Sequence, residues 1–441
     1  MLSLAIVAAA FASGAPADFA PEPAPLYVMM ISHFDLPSVM SLSDIESFRQ
    51  LSIDHPGMRW THLYNPVAYT MDTPLLDEIE AYLVEARDVY GAEIGLHLHM
   101  YLSFLEATGI DLHYVRSFTA EPPDCPGGLY GYTACMTDYT RAEIRQMLQT
   151  SIELYADHGF DRPRTFCAGF YAASPELQAA LVAEGFTVSA AGFPPGSVYG
   201  GWYGECWDIL SGWADGTLTH WTTPYLVSTD TIMPDGKPPY LLTGEGPLIE
   251  LPQVGKINNK ISYYDMVDIY LEHYAIASAG RPTAVCLAIH EFDAFSYCPT
   301  YDNVLSFIEE HSEGGDVPVV FATASEIREA FLPILIPPGD VNGDGLIDVV
   351  DLLAVLGAWG PCHGCPEDLN HDDVVDVLDL LIVLGEWSSY GGSNEALPTD
   401  TPIEVEIHHG DTESRRFGIF SPSPCTIYQA ADQACDRKNV R

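Results

Sequence analysis

The sequence predicts an α/β protein with two modules, a β/α barrel over residues 26–335 and a small all-α module over residues 339–387. Three observations lead to this prediction. Apolar strand-like runs alternate with helical patterns in the first segment, two acidic loop-and-helix repeats make up the second, and a Pro-rich junction at 332–338 lies between them. Strands that alternate with helices imply parallel pairing, and this many units favour a closed or partly closed barrel.

The strands of the barrel are predicted from short apolar runs bounded by turn residues. These runs are 26–31, 94–97, 165–168, 186–190, 284–289 and 317–321. The helices are predicted from the helical periodicity between the runs, at 74–90, 141–157, 175–184, 263–277 and 301–310. No helix is predicted just before the second module, because Pro333, Pro337 and Pro338 interrupt any helical pattern there.

Composition limits the partners of this chain. The 441 residues are 47% hydrophobic, which is enough for a large core and for more than one domain. The 18 Lys and Arg residues face 62 acidic residues, for a net charge of −44. Such a charge argues against nucleic acid and anionic membranes as partners, and it fits Ca²⁺ or a neutral polysaccharide. No run after the N-terminus is long enough to be a membrane span.

The two ends of the chain carry different signals. Residues 1–17 form an apolar run that ends in small residues, which is typical of a signal peptide, so a secreted, extracellular or cell-surface location is expected. The ten cysteines fit disulfides in that compartment, and Cys362 with Cys365 is expected to close the turn between the acidic repeats. Residues 388–441, rich in Ser, Gly, Pro and Thr, are predicted to be disordered.

The second module contains two acidic runs with the spacing of a calcium-binding loop. Oxygen side chains occupy loop positions 1, 3, 5, 9 and 12, and a backbone carbonyl is expected at position 7. The predicted Ca²⁺ ligands are Asp340, Asn342, Asp344, Leu346 (carbonyl), Asp348 and Asp351 in the first loop, and Asp368, Asn370, Asp372, Val374 (carbonyl), Asp376 and Asp379 in the second. Gly345 stands at the sharp turn of the first loop, whereas Asp373 in the second is expected to weaken that site.

Each loop is followed by nearly the same helix, at 352–359 and again 28 residues later at 380–387. This loop-then-helix duplication resembles a dockerin, the calcium-dependent module that attaches secreted enzymes to cohesins. The resemblance implies two Ca²⁺ sites and a cohesin-like partner. Dockerins that bind cohesins usually carry small hydroxyl residues at loop positions 10 and 11, which here are apolar (349–350 and 377–378). Another docking protein with a more apolar contact is therefore the alternative.

Imidazoles and carboxylates follow three of the predicted strands of the barrel. They are His33 and Asp35 after the first strand, His97 and His99 after the second, and His290, Glu291 and Asp293 after the fifth. In a β/α barrel these strand ends converge on one pocket. His97 and His99 point the same way on an extended segment, so together with Asp35 they are candidate ligands of one divalent metal ion, such as Zn²⁺. Such an ion would acidify a water for hydrolysis.

The same segments resemble the polysaccharide deacetylase superfamily of glycoside hydrolase/deacetylase barrels. Residues 93–97 resemble the family's second motif, whose His is a metal ligand, and 164–169 resemble the third. Residues 287–290 resemble the last motif, whose His assists as an acid. The resemblance implies a (β/α) barrel of the polysaccharide deacetylase type, with Asp35 at the first motif and His290 as the catalytic acid.

This sequence departs from that family at three positions. The family usually has two adjacent Asp residues, but Leu36 follows Asp35. Its second ligand His usually lies four residues after the first, where Tyr101 stands, so His99 would have to substitute. The Arg of the third motif corresponds to Cys167.

The leading functional prediction is a secreted carbohydrate-active hydrolase that acts in polysaccharide degradation and carries a calcium-dependent docking module. Two alternatives remain open. Asp35, Glu291 and Asp293 offer the paired carboxylates that a glycosidase needs, without a metal. The three departures from the family also fit a catalytically inactive protein that binds glycans or serves as a scaffold.

Overall fold

The structure is a computed structural model that describes residues 22–99, 101–111, 136–194, 213, 218–253, 261–343 and 346–390. The predicted signal peptide at 1–17, Asp344, Gly345 and residues 391–441 of the predicted tail lie outside the described residues. The described part of the chain contains no helix with the length and apolarity of a membrane span.

A curled sheet of nine strands organises the first module within the described residues. The strands, in chain order, are β1 (Leu26–Phe34), β2 (Trp60–Tyr64), β3 (Glu93–Leu98), β4 (Thr165–Ala168), β5 (Val188–Ser189), β6 (Tyr225–Leu226), β9 (Ile249–Glu250), β10 (Thr283–His290) and β11 (Val319–Phe321). Their spatial order is β10-β1-β2-β3-β4-β5-β9-β6, and β11 pairs with the start of β1. Every pair is parallel except β6 with β9. The predicted α/β class is confirmed, and the sheet is a half-barrel rather than a closed one.

Helices connect these strands and begin at the caps that the sequence provides. They are α1 (Leu42–Asp54), α2 (Leu76–Tyr90), α3 (Leu102–Thr108), α4 (Arg141–Asp157), α5 (Pro175–Ala183), α6 (Tyr263–Ser278), α7 (Ala294–Glu313) and α8 (Ala324–Leu335). Capping boxes start α1, α4, α6 and α8, where a Ser or Thr side chain and an acidic side chain three residues later satisfy each other's backbone N–H groups. The short hairpin of β7 (Leu242–Thr243) and β8 (Gly246–Pro247) lies off the main sheet.

Side chains of the sheet divide into an outer and an inner apolar cluster. Val28 and Met30 of β1 belong to the outer cluster, which the helices cover. Met29 and Ile31 belong to the inner cluster, which also receives side chains from α8. Both faces of the strand are therefore buried, which explains why the strands read as continuous apolar runs.

The structure corrects two of the sequence predictions for this module. A helix, α8, does precede the second module, with Pro333 inside it. Pro333 lies in the last turn, where its missing N–H removes only one hydrogen bond, and the helix ends before Pro337. The strand β2 and the helix α1 were not predicted. In β2 the adjacent polar residues Thr61 and His62 interrupt the apolar run.

The second module consists of two loop-helix repeats and one short pair of strands. The helices are α9 (Val349–Gly357) and α10 (Val377–Tyr390), and β12 (Gly360–Pro361) pairs antiparallel with β13 (Val374–Val375). Its small core contains Ile347, Val355, Val375 and Val383. In the intervening turn the Cα atoms of Cys362 and Cys365 lie 6.0 Å apart, and the disulfide between them stays a prediction. Helix α10 continues to Tyr390, so residues 388–390 are helical rather than part of a disordered tail.

Candidate active site

The two-residue period of the strands places the predicted site residues on one face of the sheet. On β1 the inner-face positions Met29 and Ile31 lead to His33 and, just beyond the strand, Asp35. The same alternation directs His97 of β3, and His99 just beyond the strand, to the inner face, since Leu96 and Leu98 belong to the outer cluster. On β10 it directs His290 inward.

Asp35 lies at the centre of three imidazoles. Its Oδ1 is 2.8 Å from Nε2 of His97, and its Oδ2 is 3.5 Å from Nε2 of His99 and 3.4 Å from Nε2 of His290. The side chains of Asp35 and His290 keep 14% and 13% exposure, whereas His97 and His99 are buried. The site is therefore a pocket that solvent reaches from the Asp35 and His290 side.

The contact between Asp35 and His97 fits a bound cation better than a direct hydrogen bond. Nδ1 of His97 lies 2.8 Å from the carbonyl oxygen of Cys167, which can only accept, so Nδ1 carries the proton. Nε2 of His97 and Oδ1 of Asp35 are both buried, and neither has a hydrogen-bond partner despite their 2.8 Å separation. A cation ligated by both atoms would satisfy these two buried polar atoms, and a backbone carbonyl on the other ring nitrogen is the usual support of a metal-binding His.

Three residues of this pocket offer ligand atoms close enough for one ion. Asp35, His97 and His99 each present an atom within 4.8 Å of the others, which is the set that the sequence predicted. A second set that shares His97 also meets this distance, with His33 and Cys167. One carboxylate and two imidazoles suit a divalent ion such as Zn²⁺.

The two acids of the site have pKa values that are shifted in opposite directions. Burial acts to raise the pKa of Asp35, but the neighbouring His99 and His290 outweigh it, so this pKa lies well below its ordinary value. Burial, reinforced by the charge of Asp35, raises the pKa of Glu291 well above its ordinary value. Burial likewise lowers the pKa of His99. The same pocket thus favours the ionised form of Asp35 and disfavours the ionised form of Glu291.

Glu291 and Asp293 occupy different environments from Asp35. Glu291 is fully buried, and its Oε1 accepts a 2.6 Å hydrogen bond from the backbone N–H of Leu36. Asp293 is half-buried at the start of α7. Glu291 therefore supports the turn that follows Asp35, and a substrate has no access to it in this conformation.

The residues that replace the family's usual side chains are buried. Tyr101 is 1% exposed at the N-cap of α3, and Cys167 is fully buried in β4. Burial raises the pKa of the Cys167 thiol well above its ordinary value, so the thiol is neutral at physiological pH. Leu36 packs against the outer apolar cluster rather than into the pocket.

Sequence reasoning missed the residues that hold the floor of the pocket. Gln253 is fully buried, and its amide donates a 2.6 Å hydrogen bond to the carbonyl of Ala190. That bond turns Oε1 of Gln253 toward Nε2 of His33, at 2.9 Å. The segment around Ala190 is held in turn by Glu250, whose Oε1 accepts the backbone N–H groups of Ala191 and Gly192 at 2.8 and 2.5 Å. Glu250 lies in the two-residue strand β9, and Gln253 follows it. A strand of two residues is too short to give a sequence pattern.

The two predicted calcium loops have equivalent internal hydrogen bonds where the structure describes both. Oδ2 of Asp351 accepts from the N–H of Asp348, and Oδ2 of Asp379 accepts from the N–H of Asp376, both at 2.8 Å. Four predicted ligands at positions 1 and 12 are buried, namely Asp340, Asp351, Asp368 and Asp379. Burial acts to raise the pKa of Asp379, but the backbone donors around it lower the pKa overall.

The second loop contains two residues with side chains in the strained region of positive φ. Asp373 has a φ of +67°, as its place at the sharp turn of the loop predicts, and His371 has a φ of +59°. In the first loop Gly343 corresponds to His371 and also has a positive φ. Residues with side chains are disfavoured in this region by roughly 1–2 kcal/mol, which glycine avoids.

Comparisons with known proteins give similarity in structure only. No protein-family model matches the chain, and no curated protein matches it. Among solved structures, 34 chains match. One, assigned as a glycoside hydrolase/deacetylase from Parabacteroides distasonis, is 13% identical over 71% of this chain and 72% of its own, with a TM-score of 0.45. Another, assigned as a polysaccharide deacetylase from Mycobacterium smegmatis, is 14% identical over 70% and 91%, with a TM-score of 0.40. A 4-alpha-glucanotransferase from Thermococcus litoralis is 13% identical over 71% and 41%, with a TM-score of 0.38.

Proposed function

We propose that the barrel is a secreted, metal-dependent hydrolase that removes acyl groups from polysaccharide. The observation that carries this proposal is the contact between Asp35 and His97. Two buried ligand atoms lie 2.8 Å apart without a hydrogen bond, while Cys167 fixes the proton on the far side of the His97 ring. The arrangement supports an ion held by Asp35, His97 and His99 at the open end of the half-barrel.

The proposed ion would polarise the acyl carbonyl and lower the pKa of an attacking water. The protein's own side chains orient that chemistry. Asn65 holds the backbone carbonyl of Asp35 with a 2.9 Å hydrogen bond from its side-chain amide, which fixes the carboxylate between the imidazoles. His290 stands on the Oδ2 side of Asp35, at the exposed edge of the pocket, where a leaving alcohol or amine would collect its proton.

A metal-independent glycosidase has less support from this geometry. Its two carboxylates must both face the sugar, on opposite sides of the scissile bond. Glu291 is fully buried and is held by the N–H of Leu36, which leaves only Asp35 and Asp293 for the task. A catalytically inactive glycan-binding protein would have no need for two buried ligand atoms, on His97 and Asp35, that lack a hydrogen bond.

Acetate release tests the enzymatic proposal. The purified full-length protein is incubated with acetylated xylan and with N-acetylated chito-oligosaccharide, after chelation and again after Zn²⁺ is restored. Activity that appears only with the metal, and that His97→Ala abolishes, supports the proposal. The control is His158→Ala, a part-exposed His at the end of α4 that pairs with Glu80. Reducing ends released in chelator would favour the glycosidase, and full acetate release by His97→Ala would exclude the metal site.

We further propose that the second module binds two Ca²⁺ ions and attaches the enzyme to a cohesin-like or other docking protein. Its two helices expose matching apolar side chains at positions 28 residues apart. They are Val349, Val350, Leu353 and Leu356 on α9, and Val377, Leu378, Leu381 and Leu384 on α10, each 46–60% exposed. Contiguous apolar side chains of this number on a small module favour a protein contact. The composition of the loops favours Ca²⁺, since no Lys or Arg lies between residues 340 and 379 to balance the carboxylates.

Calcium titration and a docking assay test this second proposal. In the full-length protein, calorimetry should show two Ca²⁺ sites, of which Asp368→Ala removes one. Binding to immobilised cohesins should require Ca²⁺ and should fall when Leu353 and Leu381 are both changed to Asp. If calorimetry of the wild type shows no heat of Ca²⁺ binding, the calcium sites are excluded. If the protein binds Ca²⁺ but no cohesin captures it, the partner is instead a docking protein with a more apolar contact, as residues 349–350 and 377–378 favour. Detection of the processed chain in the culture medium tests the proposed secretion.

A further inference from the structure

An exposed aromatic ring stands directly above the acid side of the pocket. Phe292 follows β10 by two residues, and its ring stacks on the imidazole of His290, with centroids 5.2 Å apart and planes 10° from parallel. The side chain of Phe292 is 39% exposed. Because His290 covers one face of the ring, the exposed part must be the opposite face and the edge.

Exposed apolar side chains also occur on the elements next to Phe292. Phe295 at the start of α7 is 64% exposed, Val39 in the turn after β1 is 43% exposed, and Leu42 at the start of α1 is 59% exposed. Hydrogen bonds join these elements, because the N–H of Phe295 donates to Asp44 at 3.0 Å and the N–H of Leu36 donates to Glu291. The segments that follow β1 and β10 are therefore tied together beside Asp35 and His290.

We propose that Phe292 is a sugar-stacking platform that binds a pyranose ring of a neutral polysaccharide next to the reacting acyl group. The inference rests on the proposed function, because it takes the pocket below Phe292 to be the site of reaction. One face of a pyranose ring presents only C–H groups, which pack against an aromatic face that is flat and accessible on one side. A sugar on the free face of Phe292 lies one ring away from His290.

Charge selects the kind of polysaccharide. The chain has a net charge of −44, so a polyanionic glycan would be repelled before it reached the rim. A neutral acetylated glycan meets no such barrier. The platform also predicts a preference for larger substrates, since a small acyl ester would reach His290 and Asp35 without touching the outer face of Phe292.

Phe292 has a competing structural role, which is to hold the ring of His290 by stacking. The two roles give different kinetics. A residue that only positions His290 affects every ester alike, mainly through kcat. A sugar platform affects substrates that carry a glycan, mainly through KM, because the stacking is present in both the bound substrate and the transition state.

The experiment compares an acetylated xylo-oligosaccharide with ethyl acetate in the full-length, metal-loaded protein. Phe292→Ala should raise KM for the oligosaccharide by about tenfold more than KM for the alkyl ester, the size expected for the loss of one aromatic stacking contact. Phe292→Trp should restore the oligosaccharide KM. An equal loss of kcat on both substrates, or no loss on either, would overturn the inference.

The matched control is Trp221→Ala. Trp221 is also an exposed aromatic residue, 49% exposed, and its indole N–H donates to Glu272. The adjoining carbonyl of His220 is held by His273, which also contacts Thr283 at the start of β10. The eight residues of β10 separate that end from His290 by roughly 23 Å. Trp221→Ala should leave both KM values unchanged.

A binding measurement separates this inference from the proposed function. Saturation-transfer NMR with unacetylated xylotetraose and chitotetraose needs no turnover. If the wild type releases no acetate but binds either sugar, and Phe292→Ala abolishes the signal, the platform stands and the proposed function fails. If acetate is released with the same KM in wild type and Phe292→Ala, the proposed function stands and the platform is wrong. Absence of binding by both sugars in the wild type would also refute the platform.

Discussion

The Glu250 carboxyl should make the barrel less stable as the pH rises through neutrality. Glu250 is fully buried, and burial raises its pKa from the ordinary value of 4.5 to about 7. Between these two values the folded chain holds a proton that the unfolded chain has released. The free energy of unfolding therefore falls as the pH rises from about 4.5 to about 7, and the loss is complete above the higher value.

The size of the effect follows from the two pKa values. Each pKa unit corresponds to about 1.4 kcal/mol, so the full change is about 3 kcal/mol. Glu250→Gln should remove this dependence, because an amide does not titrate. Its Oε1 can still accept the N–H groups of Ala191 and Gly192. Its NH₂ group can donate to Oε1 of Gln178, which is buried and has no hydrogen bond in the wild type, once the Gln178 amide flips.

Urea unfolding of wild type and Glu250→Gln at pH 5, 6, 7 and 8 measures this difference. The difference between the two proteins is informative, because Glu291 contributes a trend of the same sign to both. The free energy of unfolding of wild type minus that of Glu250→Gln should therefore decrease from pH 5 to pH 8. The decrease should be about 3 kcal/mol. The exposed Glu78 supplies a control, since Glu78→Gln should give a curve parallel to wild type. Parallel curves for wild type and Glu250→Gln would refute the reasoning.

Four further substitutions test other contacts. Gly169→Ala should lower metal affinity and activity by at least tenfold while the fold persists. The new Cβ would lie 2.5 Å from Nδ1 of His99, so that ring must move. Unchanged metal content in the variant would contradict this. His371→Gly and Asp373→Gly should each stabilise the second calcium loop by about 1 kcal/mol through relief of positive φ, seen as tighter Ca²⁺ binding in calorimetry, and weaker binding would show that their side chains matter more than the strain. Leu36→Asp should lower the melting temperature without raising activity, because Leu36 packs against the outer cluster; a gain in activity would show that the turn rearranges.

The sequence identified the parts of the fold that depend on local pattern. The strand-end residues Asp35, His97, His99 and His290 were predicted to meet because parallel strands end at one edge, and the structure brings them within 3.5 Å of the Asp35 carboxylate. Strands buried on both faces were visible as apolar runs, and helices as periodic segments with capping residues.

The residues that the sequence did not identify depend on long-range pairing. The strand β2 escaped notice because His62 is satisfied by partners far along the chain, Ser32 at 2.6 Å and Tyr82 at 3.0 Å, which let a polar residue occupy a buried strand. Gln253 escaped because its role depends on the pairing of β9 with β5. No local pattern encodes such contacts, since each partner contributes a single polar side chain from a different segment.

A single carboxylate, that of Asp35, lies among the imidazoles of the pocket, and this determines how the pocket can work. With Leu36 directed into the outer cluster, Asp35 is the carboxylate that meets the imidazoles, and its two oxygens face different partners. Oδ1 lies 2.8 Å from Nε2 of His97, whereas Oδ2 lies 3.4 Å from Nε2 of His290 on the exposed side. Under the proposed function Asp35 therefore serves both sides of the pocket. Its burial opposes ionisation, but the neighbouring imidazoles hold its pKa well below the ordinary value, so the carboxylate stays charged where the ion would bind.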